Sequence, residues 1–289
     1  MKEIWTIGRV LKWTTEYLAS KGVETARLDT EVLLSHVLQK PRIYLYVHFD
    51  EPLQKGELAV LRELIKKRAA RMPVSHILGR REFMGLTFKV TTDTLSPRPE
   101  TEILVEAAKN RLKNEIAATE PVIFADIGTG TGAIALSLLN LLSEARAVAV
   151  DISPTALAVA KENAENLGLS ERVEFLPGDL TAPLGSRRFA AILANPPYIP
   201  EHEIEGLSPE VKNYDPRLAL AGGQDGLDFY RRLVAEGQKN LLPGGFMAFE
   251  VGLGQAEKVR GLATQAGGLR DSQILPDYAG IPRVVVLQY

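Results

Sequence analysis

Cysteine is missing from all 289 residues, which excludes disulfides, thiol nucleophiles and thiolate-ligated metals. Histidine is scarce: His36, His48, His76 and His202 are scattered without ligand spacing, so no metal centre is expected. No apolar run approaches the roughly 20 residues that cross a bilayer. The opening residues, Met1-Lys2-Glu3-Ile4-Trp5, lack the apolar core of a signal peptide and the Arg- and Ser-rich pattern of a transit peptide. A cytoplasmic location with no membrane partner is the expectation. A strong charge bias is absent as well, the formal net charge being -2. Residues 1–95 are mildly basic, with 16 Lys+Arg against 11 Asp+Glu, and a dedicated nucleic-acid enzyme would more often carry a strongly basic domain. No direct nucleic-acid contact is expected, and a monomer is the default.

What is present divides into parts. Residues 1–78 read as a small helical bundle. Ile4, Ile7, Val10, Leu11 and Leu18 form one apolar stripe over 4–20, and Leu28, Val32, Leu33 and Val37 form a second over 29–39. Pro41 opens a short helix through Ile43, Leu45 and Tyr46, and a longer one runs over 55–71, stopped by Pro73. No Gly-rich loop or acid/base pair falls in this stretch, which suits a docking module. Residues 79–95 change period and read as a β-hairpin linker turning at Met84-Gly85. Residues 96–289 alternate strand and helix from Pro121 onward, with buried strands expected at 122–125, 147–150, 173–175, 190–193 and 246–249. Helices are expected at 133–142, 154–167 and 227–241, and an antiparallel hairpin at 272–276 and 283–288. The fold class is therefore α/β, a doubly wound sheet with a terminal antiparallel hairpin, preceded by a helical bundle and a hairpin linker.

Chemistry concentrates at the ends of these strands, where open α/β sheets place ligands. The fourth expected strand runs into Asn195-Pro196-Pro197-Tyr198. Two prolines stiffen the exit, and Asn195 and Pro196 offer acceptor oxygens beside the flat ring of Tyr198. That set suits a planar NH2 group held by two acceptors and stacked on an aromatic face. The same four residues also suit an ordinary strand-exit turn.

The first strand leads into Asp126-Ile127-Gly128-Thr129-Gly130-Thr131-Gly132, and the second ends in Asp151. Alternate glycines permit close approach of a ligand, and Asp151 is placed to accept ribose hydroxyls. A nicotinamide dinucleotide fits Gly128, Gly130 and Ala133. S-adenosylmethionine fits better: Asp126 would repel a pyrophosphate but could hold an ammonium, directly or through water. After the third strand, Asp179 can take an adenine amine and Leu180 can cover the ring. Arg98, held extended between Pro97 and Pro99, reads equally as a ligand contact or a surface cap.

Together, the Asp126–Gly132 loop, Asp151, Asn195-Pro-Pro-Tyr198 and Pro97-Arg-Pro-Glu-Thr-Glu102 resemble the N5-glutamine methyltransferases of the HemK/PrmC type, a family that modifies peptide chain release factors. The resemblance covers most of the chain and implies a class I, Rossmann-like methyltransferase domain. It implies an S-adenosylmethionine cofactor on Gly128, Thr129, Gly130, Thr131 and Gly132, with Asp151 on its ribose and Leu180 and Asn195 lining it. It also implies a glutamine side chain held by Asn195, Pro196, Pro197 and Tyr198, and a class 1 release factor as protein substrate. Asn-Pro-Pro-Tyr occurs too in methyltransferases of adenine in RNA and DNA, and a ribosomal-protein glutamine would suit the same site. A cofactor-binding module without catalysis is the reading from another class. The family usually has an aliphatic residue where Ser96 stands and Glu-Pro where this chain has Asp215-Pro216. Gly222-Gly223-Gln224 repeats the tripeptide that release factors present, but it falls in the family's usual loop before a helix. The expected reaction is displacement at a sulfonium methyl by the glutamine amide nitrogen, driven by positioning, with no base evident.

Overall fold

A computed structural model describes residues 4–115 and 122–289; the sequence readings on Met1–Glu3 and on Pro121 lie outside them. The chain divides into two units, Met1–Gly79 with Ser208–Tyr214, and Arg80–Leu207 with Asp215–Tyr289. Among the described residues, no helix is long and apolar enough to cross a membrane.

In the first unit, Thr6 caps α1 (Ile7–Ser20) by accepting from the Arg9 amide. The unit continues with α2 (Ala26–Leu38), α3 (Arg42–Val47), α4 (Lys55–Ala69) and α5 (Val74–Leu78), the last not anticipated from sequence. Ile7, Val10, Leu11, Leu18, Leu33, Leu34, Leu45, Leu61 and Ile65 form its core. The apolar stripes were not all assigned correctly. Ile4 precedes the helix and is 65% exposed, and Leu28, Ile43 and Tyr46 also face outward. In α2 the inward line runs through Ala26, Thr30, Leu33 and Leu34, because Thr30 satisfies its hydroxyl on the Ala26 carbonyl and so tolerates full burial.

The second unit begins with a hairpin, β1 (Arg80–Phe83) and β2 (Leu86–Lys89), paired in register from Arg80–Lys89 to Phe83–Leu86. Met84 and Gly85 both take positive φ, as a two-residue hairpin turn demands. Next come α6 (Thr101–Glu115), β3 (Ile123–Ile127), α7 (Ala133–Leu141), β4 (Arg146–Asp151), α8 (Pro154–Asn166), β5 (Val173–Pro177) and β6 (Phe189–Ala194). The short helix α9 (Pro209–Tyr214) belongs to the first unit. The second resumes with α10 (Asp228–Gly237), β7 (Leu241–Glu250), α11 (Ala256–Ala266), β8 (Asp271–Pro276) and β9 (Pro282–Gln288). Helix α11 was not anticipated, and β5, expected to be buried, is half-buried because it is an edge strand with a neighbour on one side only.

The seven strands run in the order β5-β4-β3-β6-β7-β9-β8, parallel from β5 through β7 and antiparallel at β7–β9–β8. Side chains alternate between two cores. Phe124, Ala191, Leu193, Phe246 and Ala248 pack with α6 and α7 on one face. Ala125, Ile192, Ala194, Met247 and Phe249 pack with α10 and α11 on the other.

Two polar ties fix the surroundings of the strand ends. The buried Asn163 side chain of α8 donates to the Thr131 and Lys89 carbonyls and accepts from the Lys89 amide. It thereby joins the hairpin to the glycine loop. The Glu102 carboxylate of α6 accepts from the Met84 amide at the hairpin turn.

Candidate functional site

A cavity of about 490 Å³ opens at the carboxyl ends of β3, β4, β5 and β6, within the usual range for a small-molecule site. The sheet reverses its winding between β3 and β6, and such switch points leave a crevice.

The floor is the glycine loop. After β3, the Gly128 and Thr129 amides both donate to the Val150 carbonyl of β4, at 2.8 and 3.0 Å. Gly128, Gly130 and Gly132 take φ of 71, 56 and 82°, a region that glycine enters without strain. At Gly128 and Gly130 nothing lies within 4 Å of where a Cβ would stand, so bare backbone faces the cavity. Thr129 and Thr131 stand in the wall with them.

Asp126 lies beneath that loop and is fully buried, outside the cavity wall. Its Oδ2 accepts from the Thr129 hydroxyl at 2.6 Å and the Ala135 amide at 3.2 Å. Burial pushes its carboxyl up to about 6 against those two bonds. The geometry thus gives Asp126 a hold on the loop and on the start of α7, where the sequence suggested a hold on an ammonium group. Asp151 does reach the wall. Its Oδ2 accepts from the Gly130 amide at 2.8 Å and its Oδ1 from the Ser153 amide at 2.9 Å, while burial raises its pKa.

On the β5 side, Leu180 takes φ of 46°, a left-handed conformation that costs a branched residue about 1 kcal/mol or more. That strain turns a nearly buried side chain into the cavity wall beside Asp179. Both Asp179 oxygens accept from Arg232 of α10, at 3.2 and 2.7 Å. The carboxylate is therefore held in place by a fork, with its remaining lone pairs available.

The opposite wall is the stiff exit of β6. Asn195, Pro196 and Pro197 all line the cavity. Tyr198 does not: its ring packs against the core beneath α10 and α11, and burial pushes its phenol up to about 12. Its backbone is clasped from behind. Gln255 donates to the Tyr198 carbonyl at 2.8 Å, and a Cβ on Gly222 would lie 2.7 Å from the Tyr198 Cα. Gly222 is thus explained by close packing behind the wall, and Gly223 by its φ of 88° and by the Asp228 carboxylate beside it. Arg98 lines the mouth and donates to Asp215 Oδ2 at 2.5 Å, so it joins the Pro97–Pro99 segment to Pro216 as well as facing the cavity.

Three contributors were not identified from sequence. Thr101, at the start of α6, lines the cavity and donates to Glu250 at 2.6 Å, and Asn195 donates to the Thr101 hydroxyl at 3.3 Å. Glu250 ends β7 and is 2% exposed, and burial pushes its carboxyl up to about 7. Phe229 of α10 completes the apolar wall beside Leu180. The available signal for Glu250 was an acid at the end of the otherwise apolar run Phe246-Met247-Ala248-Phe249. Among the described residues, no group of three His, Asp or Glu side chains could hold a metal ion.

The sheet with its antiparallel end defines a Rossmann-like methyltransferase, and solved structures share the fold. A methyltransferase from Pyrococcus furiosus superposes with a TM-score of 0.51 at 18% identity, covering 81% of this chain and 98% of its own. The hMettl16 catalytic domain gives 0.59 at 16% identity, covering 78% and 81%. Residues 100–207 match the methyltransferase small domain, and residues 9–79 match the PrmC N-terminal domain.

Within that class the chain belongs to the release factor glutamine methyltransferase family. It is 49% identical over 283 residues to the release factor glutamine methyltransferase of Geobacter sulfurreducens, covering 98% of this chain and 96% of the relative. The corresponding protein of Moorella thermoacetica is 45% identical over 278 residues, covering 96% of each.

Proposed function

We propose that the protein transfers a methyl group from S-adenosylmethionine to the side-chain amide nitrogen of the glutamine in the Gly-Gly-Gln segment of peptide chain release factors. The observation that carries the reading is the meeting of Asn195, Pro196 and Pro197 with Gly128, Thr129, Gly130 and Thr131 around one cavity, Gly132 being turned to Leu136 and Ala160. The family membership supports the substrate.

The residues present suit the cofactor. Bare backbone at Gly128 and Gly130 leaves room for the methionine portion, Asp151 has oxygens for ribose hydroxyls, and Leu180 and Phe229 offer apolar cover for a purine. Asp179, steadied by Arg232, suits the adenine amine. When bound, the cofactor supplies a sulfonium methyl open to displacement by nitrogen.

The chain's own residues act on the glutamine. Its amide NH2 has two N–H bonds, and the Asn195 side-chain oxygen and the Pro196 carbonyl are two acceptors on a proline-stiffened wall. Donating both bonds restrains the nitrogen and favours the positive charge that grows on it as the nitrogen–methyl bond forms and the sulfur–methyl bond breaks, after which one amide proton is lost to water. An amide nitrogen is a weak nucleophile, so near-attack positioning, which is worth about 7 to 11 kcal/mol, carries most of the rate. Tyr198 acts by filling the space behind the wall. The helical unit of residues 1–78 is assigned to docking a remote part of the release factor, and the enzyme acts as a monomer.

The deciding experiment incubates the protein with S-adenosylmethionine and an unmethylated class 1 release factor, then reads the Gly-Gly-Gln peptide by mass spectrometry. One added methyl on that glutamine is expected. Transfer to ribosomal protein or to adenine in RNA or DNA, with none to the release factor, overturns the substrate.

A further inference from the structure

We propose that Glu250 is a positioning residue that, acting on Asn195 both directly and through Thr101, sets which end of the Asn195 side-chain amide is turned to the cavity. The inference rests on the reading of Asn195 as an acceptor for the substrate NH2, and it adds a residue that never touches the substrate.

The sheet makes the juxtaposition unavoidable. In the parallel pairing of β6 with β7, Ala194 stands opposite Phe249, so Asn195 and Glu250 are the next pair along. Both continue the alternation onto the face covered by α6, whose first residue is Thr101. The three side chains form a closed set: Asn195 Nδ2 donates to Thr101 Oγ1 at 3.3 Å, Thr101 Oγ1 donates to Glu250 Oε2 at 2.6 Å, and Asn195 is also hydrogen-bonded directly to Glu250. The first turn of a helix favours an anion beside it, which suits a carboxylate at that position.

Hydrogen-bond counting gives the set a direction. A hydroxyl has one proton. Ionised Glu250 can only accept, so the Thr101 proton goes to it and the Thr101 oxygen must accept from Asn195. Asn195 then turns its NH2 inward and leaves Oδ1 for the cavity, the end that a substrate NH2 needs. Protonated Glu250 can instead donate to Thr101, whose own proton is released to the Asn195 oxygen. The amide then turns over, and its NH2 would meet the substrate NH2 with no acceptor between them. The balance responds near neutral pH because burial raises the Glu250 carboxyl to about 7. Glu100 adds to that rise, whereas Arg283, Thr101 and Asn195 oppose it. The phenols of Tyr198 and Tyr230 also face Glu250, and the Tyr230 hydroxyl is engaged on the Glu250 backbone carbonyl at 2.7 Å.

The test uses the full chain with S-adenosylmethionine and unmethylated release factor. It compares kcat and KM of wild type, Glu250→Gln, Thr101→Val and Thr101→Ser from about pH 6 to 9. Wild-type kcat should rise with pH around a midpoint of about 7. Glu250→Gln, whose amide can donate or accept, should lose that rise and sit about tenfold below the wild-type plateau, with cofactor affinity within about twofold. Thr101→Val, which leaves only the direct Asn195–Glu250 bond, should fall below wild type and keep part of the rise, and Thr101→Ser should restore both rate and profile. The valine and serine pair keeps the test decisive if Glu250→Gln does not fold. A Glu250→Gln enzyme with the wild-type plateau and rise overturns the proposal. A second readout needs no release factor: the Asn195 side-chain amide, assigned by its loss in Asn195→Asp, is followed by nitrogen-15 NMR across the same range. A titration in wild type that vanishes in Glu250→Gln supports the positioning role even if release factor proves the wrong substrate. No titration in wild type overturns that role whichever substrate is used.

Discussion

Asn195 was legible because its context is local: an apolar strand, then two prolines, then an aromatic residue. Its partner Glu250 was not, because what buries it comes from 149 residues away, at Thr101. A sequence read in windows assigns an acid at a strand end to solvent. Asp126 is more ambiguous in sequence, since its place beside the glycines suggested a ligand contact, and in the fold it lies beneath the loop with Oδ2 taken by Thr129 and Oδ1 buried without a partner among the described residues. At this scale, Asn195→Ala should lower kcat by roughly 10² or more and leave S-adenosylmethionine affinity nearly unchanged in calorimetry. Equal loss of both would remove Asn195 from the transition state. Tyr198→Phe should retain most activity because the ring fills space behind the wall. Tyr198→Ala should lose activity and about 3 kcal/mol of stability by denaturant titration, as emptied aromatic sites do.

Among elements, the strands and helices around the cavity followed from alternation and helical period, and the structure keeps them within a few residues. Short helices such as α5 and α9 and the later α11 escaped because their faces are decided by partners distant in sequence. The loop carrying Gly222 is held to the Tyr198 wall through backbone approach, which no side-chain pattern announces. A Cβ there would stand 2.7 Å from the Tyr198 Cα and 2.8 Å from the Pro197 carbonyl oxygen, and backbone atoms cannot swing aside. Gly222→Ala should therefore displace the Asn195–Pro197 wall and reduce kcat by about tenfold or more, with cofactor binding preserved. A drop in cofactor affinity of the same size would instead place the damage in the glycine loop.

For the whole molecule, the two buried carboxyls carry a stability cost that depends on pH. Glu250 has an ordinary pKa of 4.5 and is raised to about 7 in the fold, so the native state holds its proton where the unfolded chain has released it. Its contribution is greatest below about 4.5 and declines as pH rises to about 7, by up to about 3 kcal/mol. Asp126 acts in the same direction, with an ordinary value of 3.8 raised to about 6. Glu250→Gln removes one of these titrations. Its melting temperature relative to wild type should thus improve from about pH 5 to about pH 7 and level off above that. A constant difference across that range would show that Glu250 is not proton-linked to folding. The order of the sheet itself was only partly legible, because pairing partners are set by packing between distant segments.

That order has a bearing on how the chain is made. Strand β9 lies between β7 and β8, with Val284 opposite Glu250 and Val286 opposite Ala248. During synthesis the parallel strands and their helices emerge well before it, leaving β7 with an unpaired edge. The nascent enzyme is therefore most prone to strand-to-strand aggregation in the interval before residues 282–288 appear.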